Sequence, residues 1–174
     1  MTIIPRKPPV KRTIPFYPQE KPYTCGPATI RMALAALGRR MSEAYISKVA
    51  GTTAKHGTSS AQMIRCLRRL KVAHMAGYNL RYHDLMYYAN QGIAIIDWAP
   101  QVLFPYHPEF VHTEHFNPAE DSHCAIVLSV SQKFIVVRDP VLGKIKLSRA
   151  NFMKAWNSPE EDRWMLVVMP RELQ

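Results

Sequence analysis

The sequence predicts an α+β domain, helices gathered in the first half and strands in the second. Two patterns carry this expectation. Apolar residues recur at helical spacing between residues 24 and 70, and four apolar, β-branched runs follow at 93–98, 124–130, 134–137 and 164–169. A third observation is their order, which is segregated instead of alternating as in a parallel α/β sheet. The 174 residues, 47% of them hydrophobic and 21% charged, suit one domain able to bury roughly 70% of its unfolded surface.

In chain order, residues 1–18 hold Pro5, Pro8, Pro9, Pro15 and Pro18 among Arg6, Lys7, Lys11 and Arg12. Proline removes backbone donors and fixes φ, so no helix or central strand forms there. Residues 1–13 are expected to be a basic arm and 14–174 a single domain. In residues 24–38, Ile30, Ala33, Leu34 and Leu37 make one helical stripe, with Pro27 in the first turn and Gly38 as the stop. A second helix, 42–50, has a serine cap, Glu43 in its first turn and Gly51 at its end. The third, 59–70, puts Met63, Ile64, Leu67 and Leu70 on one face, and Arg65, Arg68 and Arg69 on a solvated opposite face.

A short strand at 72–77 and a helix at 83–90 follow. Residues 131–133 between two apolar runs then suggest a hairpin, and hence antiparallel pairing. Residues 99–122 fit neither class. They contain Pro100, Pro105, Pro108 and Pro118 with His107, His112 and His115, and so read as an irregular insertion or lid.

The three cysteines, Cys25, Cys66 and Cys124, are too few and too scattered for a disulfide scaffold. The N-terminus lacks the apolar core of a signal peptide, and no apolar run approaches the roughly 20 residues of a membrane span. A cytoplasmic protein with free thiols is the expectation. The net charge of +10 keeps an anionic partner in view. No nucleic-acid motif accompanies the basic residues, and aromatics are not interleaved with them, so nucleic acid is an unfavoured partner.

Cys25 lies at the predicted start of the first helix, where unpaired N–H groups and the dipole favour a thiolate. Gly26 beside it would leave the approach to the sulfur open. A buried cysteine acting as a small hydrophobe is the plainer reading of that position alone. A thiolate nucleophile needs a base held by a third group. His123 opens one strand of the suggested hairpin and Asp139 closes the other, so pairing brings them to one edge. Read separately, Asp139-Pro140 is a turn initiator and His123 a polar strand end. Gln19, six residues before Cys25, could donate its amide to an oxyanion.

Three segments carry a resemblance: 19–28 (Gln-Glu-Lys-Pro-Tyr-Thr-Cys-Gly-Pro-Ala), 122–127 (Ser-His-Cys-Ala-Ile-Val), and 137–140 (Val-Arg-Asp-Pro) with Gly143. Together they resemble the double-glycine leader peptidases, papain-like cysteine peptidases that process bacteriocin precursors. Softer similarity continues at His56-Gly57-Thr58-Ser59 and from Phe152 to Trp156, so the resemblance spans roughly residues 14–170. It implies a papain-like fold, the N-terminal helical half packed on a C-terminal antiparallel sheet. It also implies a peptide or protein substrate cleaved after a Gly-Gly-type site, with Cys25 as nucleophile, His123 as base, Asp139 as orienter and Gln19 as oxyanion donor. Family members often have Asp before the cysteine; here Thr24 stands there. The membrane and ATPase segments of exporter-fused relatives have no counterpart in this sequence.

Three other readings compete. His112 and His115 with His107, His123 or Cys124 could ligate zinc, but His-x-x-His without a second firm pair is weak, and no metal or cofactor is expected. The same triad could transfer an acyl group to an amine, or the domain could bind without catalysis. The intact Gln19, Cys25, His123 and Asp139 set opposes the last.

Overall fold

A computed structural model describes residues 13–103, 123–157 and 162–170. The N-terminal half supplies α1 (Cys25–Ala36), α2 (Glu43–Ala50) and α3 (Ser60–Arg69). Their ends follow local chemistry. Ser42 Oγ accepts from Tyr45 N, and Gly51 closes α2 in the left-handed region at φ 76°. Ser59 and Gln62 cap α3 reciprocally. Met63, Leu67 and Leu70 are buried while Arg65, Arg68 and Arg69 are exposed, so the basic face is solvated as expected.

Next come β1 (His74–Gly77), α4 (Tyr82–Tyr88), β2 (Ile93–Trp98) and a 3-10 turn at Pro100–Leu103. After them stand β3 (His123–Val130), β4 (Phe134–Asp139), β5 (Gly143–Ser148), α5 (Arg149–Trp156) and β6 (Met165–Val168). The sheet order is β1-β6-β2-β3-β4-β5, every neighbouring pair antiparallel. The α+β class and the 123–139 hairpin stand as expected.

Period-2 alternation sends the strands into two cores. Ile93, Ile95, Cys124, Ile126 and Leu166 face α1–α3. Ala94, Ile96, Trp98, Ala125, Val127 and Val137 face the other way, against Tyr82, Leu85, Leu103, Phe152 and Trp156. Helices therefore cover both faces of the sheet, which extends the expectation of a helical half on one side. Strand β5 and helix α5 were not anticipated as elements. Gly143–Ser148 alternates buried Ile145 and Leu147 with exposed Lys144 and Lys146, which is an edge strand with only two inward residues.

Between β2 and β6 the backbones approach closely: a Cβ on Gly92 would lie 2.5 Å from the Val168 carbonyl oxygen. Only glycine fits that crossing. The histidines at 107, 112 and 115, and most of the 99–122 insertion, lie outside the described residues. Among the described residues, no group of three or more His, Cys, Asp or Glu is placed to hold a metal, and no helix is long and apolar enough to cross a membrane.

Candidate active site

The segment 13–24 straps the sheet to the helices. Arg138 of β4 donates through Nη1 to the Ile14 carbonyl, and its guanidinium lies over the Phe16 ring. Gln19 N donates to Pro140 O at 3.1 Å, just beyond β4. Toward the helices, Arg31 of α1 stacks on Tyr17 and pairs with Glu20 at 2.9 Å, and Glu20 N donates to Glu43 Oε1 of α2. Glu43 is buried, and that burial pushes its carboxyl above the ordinary carboxylate range.

A tight turn then delivers Cys25. Thr24 Oγ1 donates to Lys21 O at 2.9 Å and accepts from Lys21 N at 3.1 Å. Thr24 is buried and caps no helix N–H; its hydroxyl closes the turn instead. The first intrahelical bond of α1 is Ala28 N to Thr24 O, and Pro27 has no N–H. The N–H groups of Cys25 and Gly26 therefore stand ahead of the helical ladder. Gly26 is tightly packed: a Cβ there would sit 3.2 Å from both Met63 Sδ and Thr58 Cβ, so both would have to shift by a few tenths of an ångström.

Opposite, the ends of β2, β3 and β4 meet. Trp98 pairs with His123 across β2–β3, and Ile126 with Arg138 across β3–β4, leaving His123 and Asp139 at one end of the hairpin. His123 Nε2 and Asp139 Oδ1 are 2.9 Å apart. Asp139 Oδ1 also accepts from Val141 N and Leu142 N at 2.8 and 2.9 Å, while Oδ2 accepts from Trp98 Nε1 at 3.3 Å. Asp139 and Trp98 are wholly buried. The turn that Asp139-Pro140 initiates is real, and its donors fix the carboxylate that holds the imidazole. With Nε2 committed to Asp139, Nδ1 is the ring nitrogen left for the thiol.

The Cys25 and His123 side chains are within hydrogen-bonding reach of one another. The Cys25 thiol is held well below the ordinary thiol range, first by a hydrogen bond from the Cys124 side chain, against burial, then by the hydrogen bond and charge of His123. Burial pulls the His123 imidazole down, but the charge and hydrogen bond of Asp139, with Cys25, hold it well above its ordinary range. Both shifts favour a thiolate facing an imidazolium.

Gln19 is buried next to this turn. Its Nε2 donates to Lys21 O at 2.9 Å and Pro22 O at 3.1 Å, and its Oε1 is buried without a hydrogen-bond partner. Both amide hydrogens thus hold the turn that carries Cys25. Sequence reasoning missed Trp98 and Cys124; the signal for both was the period of 2, which fixes their faces once β2 and β3 are located.

Residues 11–161 match the peptidase C39-like family. The chain belongs to that family. It is accordingly a cysteine-type peptidase, a hydrolase. An uncharacterized protein of Methanothermobacter marburgensis is 27% identical over 136 residues, 78% of each chain. The peptidase domain of Streptococcus ComA, a bi-functional ABC transporter involved in quorum sensing, superposes with a TM-score of 0.67 at 15% identity, covering 91% of this chain and 100% of that one. A double glycine motif protease from an AMS/PCAT transporter, solved with its leader peptide, gives a TM-score of 0.66 at 17% identity over 92% and 94%. A Bacillus anthracis protein described as a C39-like peptidase gives 0.64 at 13% identity over 95% and 99%. The fold is the papain-like one of these peptidase domains.

Proposed function

We propose that Cys25, His123 and Asp139 form the catalytic triad of this peptidase, with Gln19 beside the oxyanion, and that it hydrolyses a peptide bond after a Gly-Gly-type pair. The observation that carries the triad is the placement of His123 between Asp139 and Cys25, with Nε2 of the imidazole on the carboxylate and the Cys25 side chain within reach of the same ring. Cys25 thiolate attacks the scissile carbonyl, and the Cys25 N–H ahead of the α1 ladder receives the developing oxyanion. Gln19 adds a second donor by releasing one Nε2 hydrogen from the longer of its two contacts, that to Pro22 O. The His123 imidazolium then gives its proton to the leaving amine. The neutral imidazole next takes a proton from water, which hydrolyses the thioester on Cys25.

The Gly-Gly preference is supported by family membership and by the double glycine motif protease sharing the fold. Peptides identical except for Gly-Gly or Ala-Ala before the scissile bond test it by mass spectrometry. Cleavage after the second glycine by the wild type, absent with Cys25→Ala, is the expected result. Cleavage of both peptides alike would remove the glycine preference and leave the peptidase.

A further inference from the structure

The strand that supplies His123 turns its next residue to the opposite face, and that residue is a second thiol. Cys124 faces α1 within the packed cluster that also includes Met63, and Cys25 packs against that cluster. The Cys124 side chain and backbone N–H lie within hydrogen-bonding reach of the Cys25 sulfur, and Met63 Sδ lies 3.2 Å from where a Cβ on Gly26, the residue after Cys25, would stand. Cys124 Sγ donates to the same Met63 Sδ at 3.7 Å, and both residues are buried. Cys25 is half-buried, and all three cysteines are unbridged. An oxidant from solvent therefore meets Cys25 first, with a shielded thiol beside it.

We propose that Cys25 and Cys124 are a hydroperoxide-responsive pair in which Cys124 resolves oxidised Cys25 into a reducible disulfide. The proposal rests on the reading of Cys25 as an activated thiolate. In the first step that thiolate attacks the terminal oxygen of a hydroperoxide. The O–O bond breaks, Cys25 becomes a sulfenic acid, and the departing alkoxide takes the His123 proton to leave as an alcohol. In the second step Cys124 sulfur attacks Cys25 sulfur. The S–S bond forms, the S–O bond breaks, and the departing hydroxide takes the Cys124 proton to become water. Two thiols lose two electrons and one hydroperoxide gains them.

The product joins the first turn of α1 to the start of β3 and consumes the nucleophile until a thiol reductant restores it. Without Cys124, the sulfenic acid stays exposed to further peroxide and proceeds to sulfinic acid, which thiol reductants do not reverse. Cys66 supplies the contrast. It lies buried in α3 with its Sγ against the Ile46 carbonyl, and burial pushes its thiol up to about 11.

The test treats wild type, Cys124→Ser and Cys66→Ala with a several-fold molar excess of hydrogen peroxide and reads intact mass before and after dithiothreitol, then maps the peptides. Wild type and Cys66→Ala should each lose the mass of two hydrogens, yield a cross-linked Cys25–Cys124 peptide, and regain both on reduction. Cys124→Ser should instead gain two or three oxygens on Cys25, and dithiothreitol should not remove them. Cys124→Ala repeats the comparison without a buried hydroxyl, should the serine variant fold poorly. Sulfinic Cys25 in wild type at the yield of Cys124→Ser, or a cross-link to Cys66, would overturn the proposal while leaving Cys25 an activated thiol. Equal oxidation of Cys25 and Cys66 would overturn the activated thiolate as well.

Discussion

Cys25 and Cys66 sit on helices of the same N-terminal half and pack into the same core, yet their thiols are driven in opposite directions. Burial acts on Cys66 with only the Arg69 charge opposing it, and its thiol is pushed up to about 11. Burial acts on Cys25 too, but Cys124 and His123 of β3 outweigh it. Helical residence and packing are common to both. The difference is the neighbouring strand, which meets the sulfur with two thiol-directed donors and a cation. Activation here belongs to the junction of α1 and β3, more than to either element.

The largest way to break this contrast is to remove the cation. In the proposed triad, His123→Ala takes away both the proton shuttle and the charge facing the thiolate. Turnover should fall by about 10²–10⁴, and Cys25 should lose its lead over Cys66 in labelling by a thiol alkylator. A variant that kept wild-type labelling would show that His123 does not set the thiol. Gln19→Ala sharpens the contrast by separating oxyanion from thiolate. Turnover should fall by about 10²–10³, as for loss of one oxyanion donor. Cys25 labelling should change far less, since alkylation forms no oxyanion. If both fell together, Gln19 would act only by holding the Lys21–Pro22 turn.

A smaller effect follows from pH. In free side chains the imidazole, at about 6.5, gives up its proton before the thiol, at about 8.5, so a thiolate–imidazolium pair is a minor form. Here the thiol is lowered and the imidazole raised, and both shifts favour that pair. Activity should fall on the acid side as Cys25 gains a proton, and on the alkaline side as His123 loses one. Cys124→Ala removes the strongest influence lowering the Cys25 thiol, so the acid limb should move to higher pH while the alkaline limb stays nearly fixed. An acid limb unmoved in kcat/KM across a pH series would assign the thiolate to His123 alone.

Much of this was legible in the residues. Gly38 marks the end of α1, a serine cap and Gly51 bound α2, and Gln19, Cys25, His123 and Asp139 stand out by residue type and position. Short, weak or face-dependent features were not. β5 has only Ile145 and Leu147 facing inward, too little period-2 signal beside a turn. Trp98 reads as one more apolar residue of a buried run until the β2–β3 register sets it opposite His123. Cys124 is the residue after His123 in the sequence, but alternation turns it to the other face, toward the helices that carry Cys25. The amide of Gln19 shows the same limit: its type was informative, whereas its hydrogen bonds to the 21–22 carbonyls exist only in the folded turn.

The smallest effect is the control on the opening contrast. Cys66→Ala removes a buried sulfur from the layer between α2 and α3, where it touches the Ile46 carbonyl. The loss is smaller than a Leu→Ala truncation, so stability by urea denaturation should drop by about 1 kcal/mol. Cys25 labelling should stay at the wild-type rate, because none of the groups that lower its thiol lies on α2 or α3. Slower Cys25 labelling in this variant would mean that reactivity passes through the packing of the helical layer, with Met63, on the same helix as Cys66 and against Cys124, as the route.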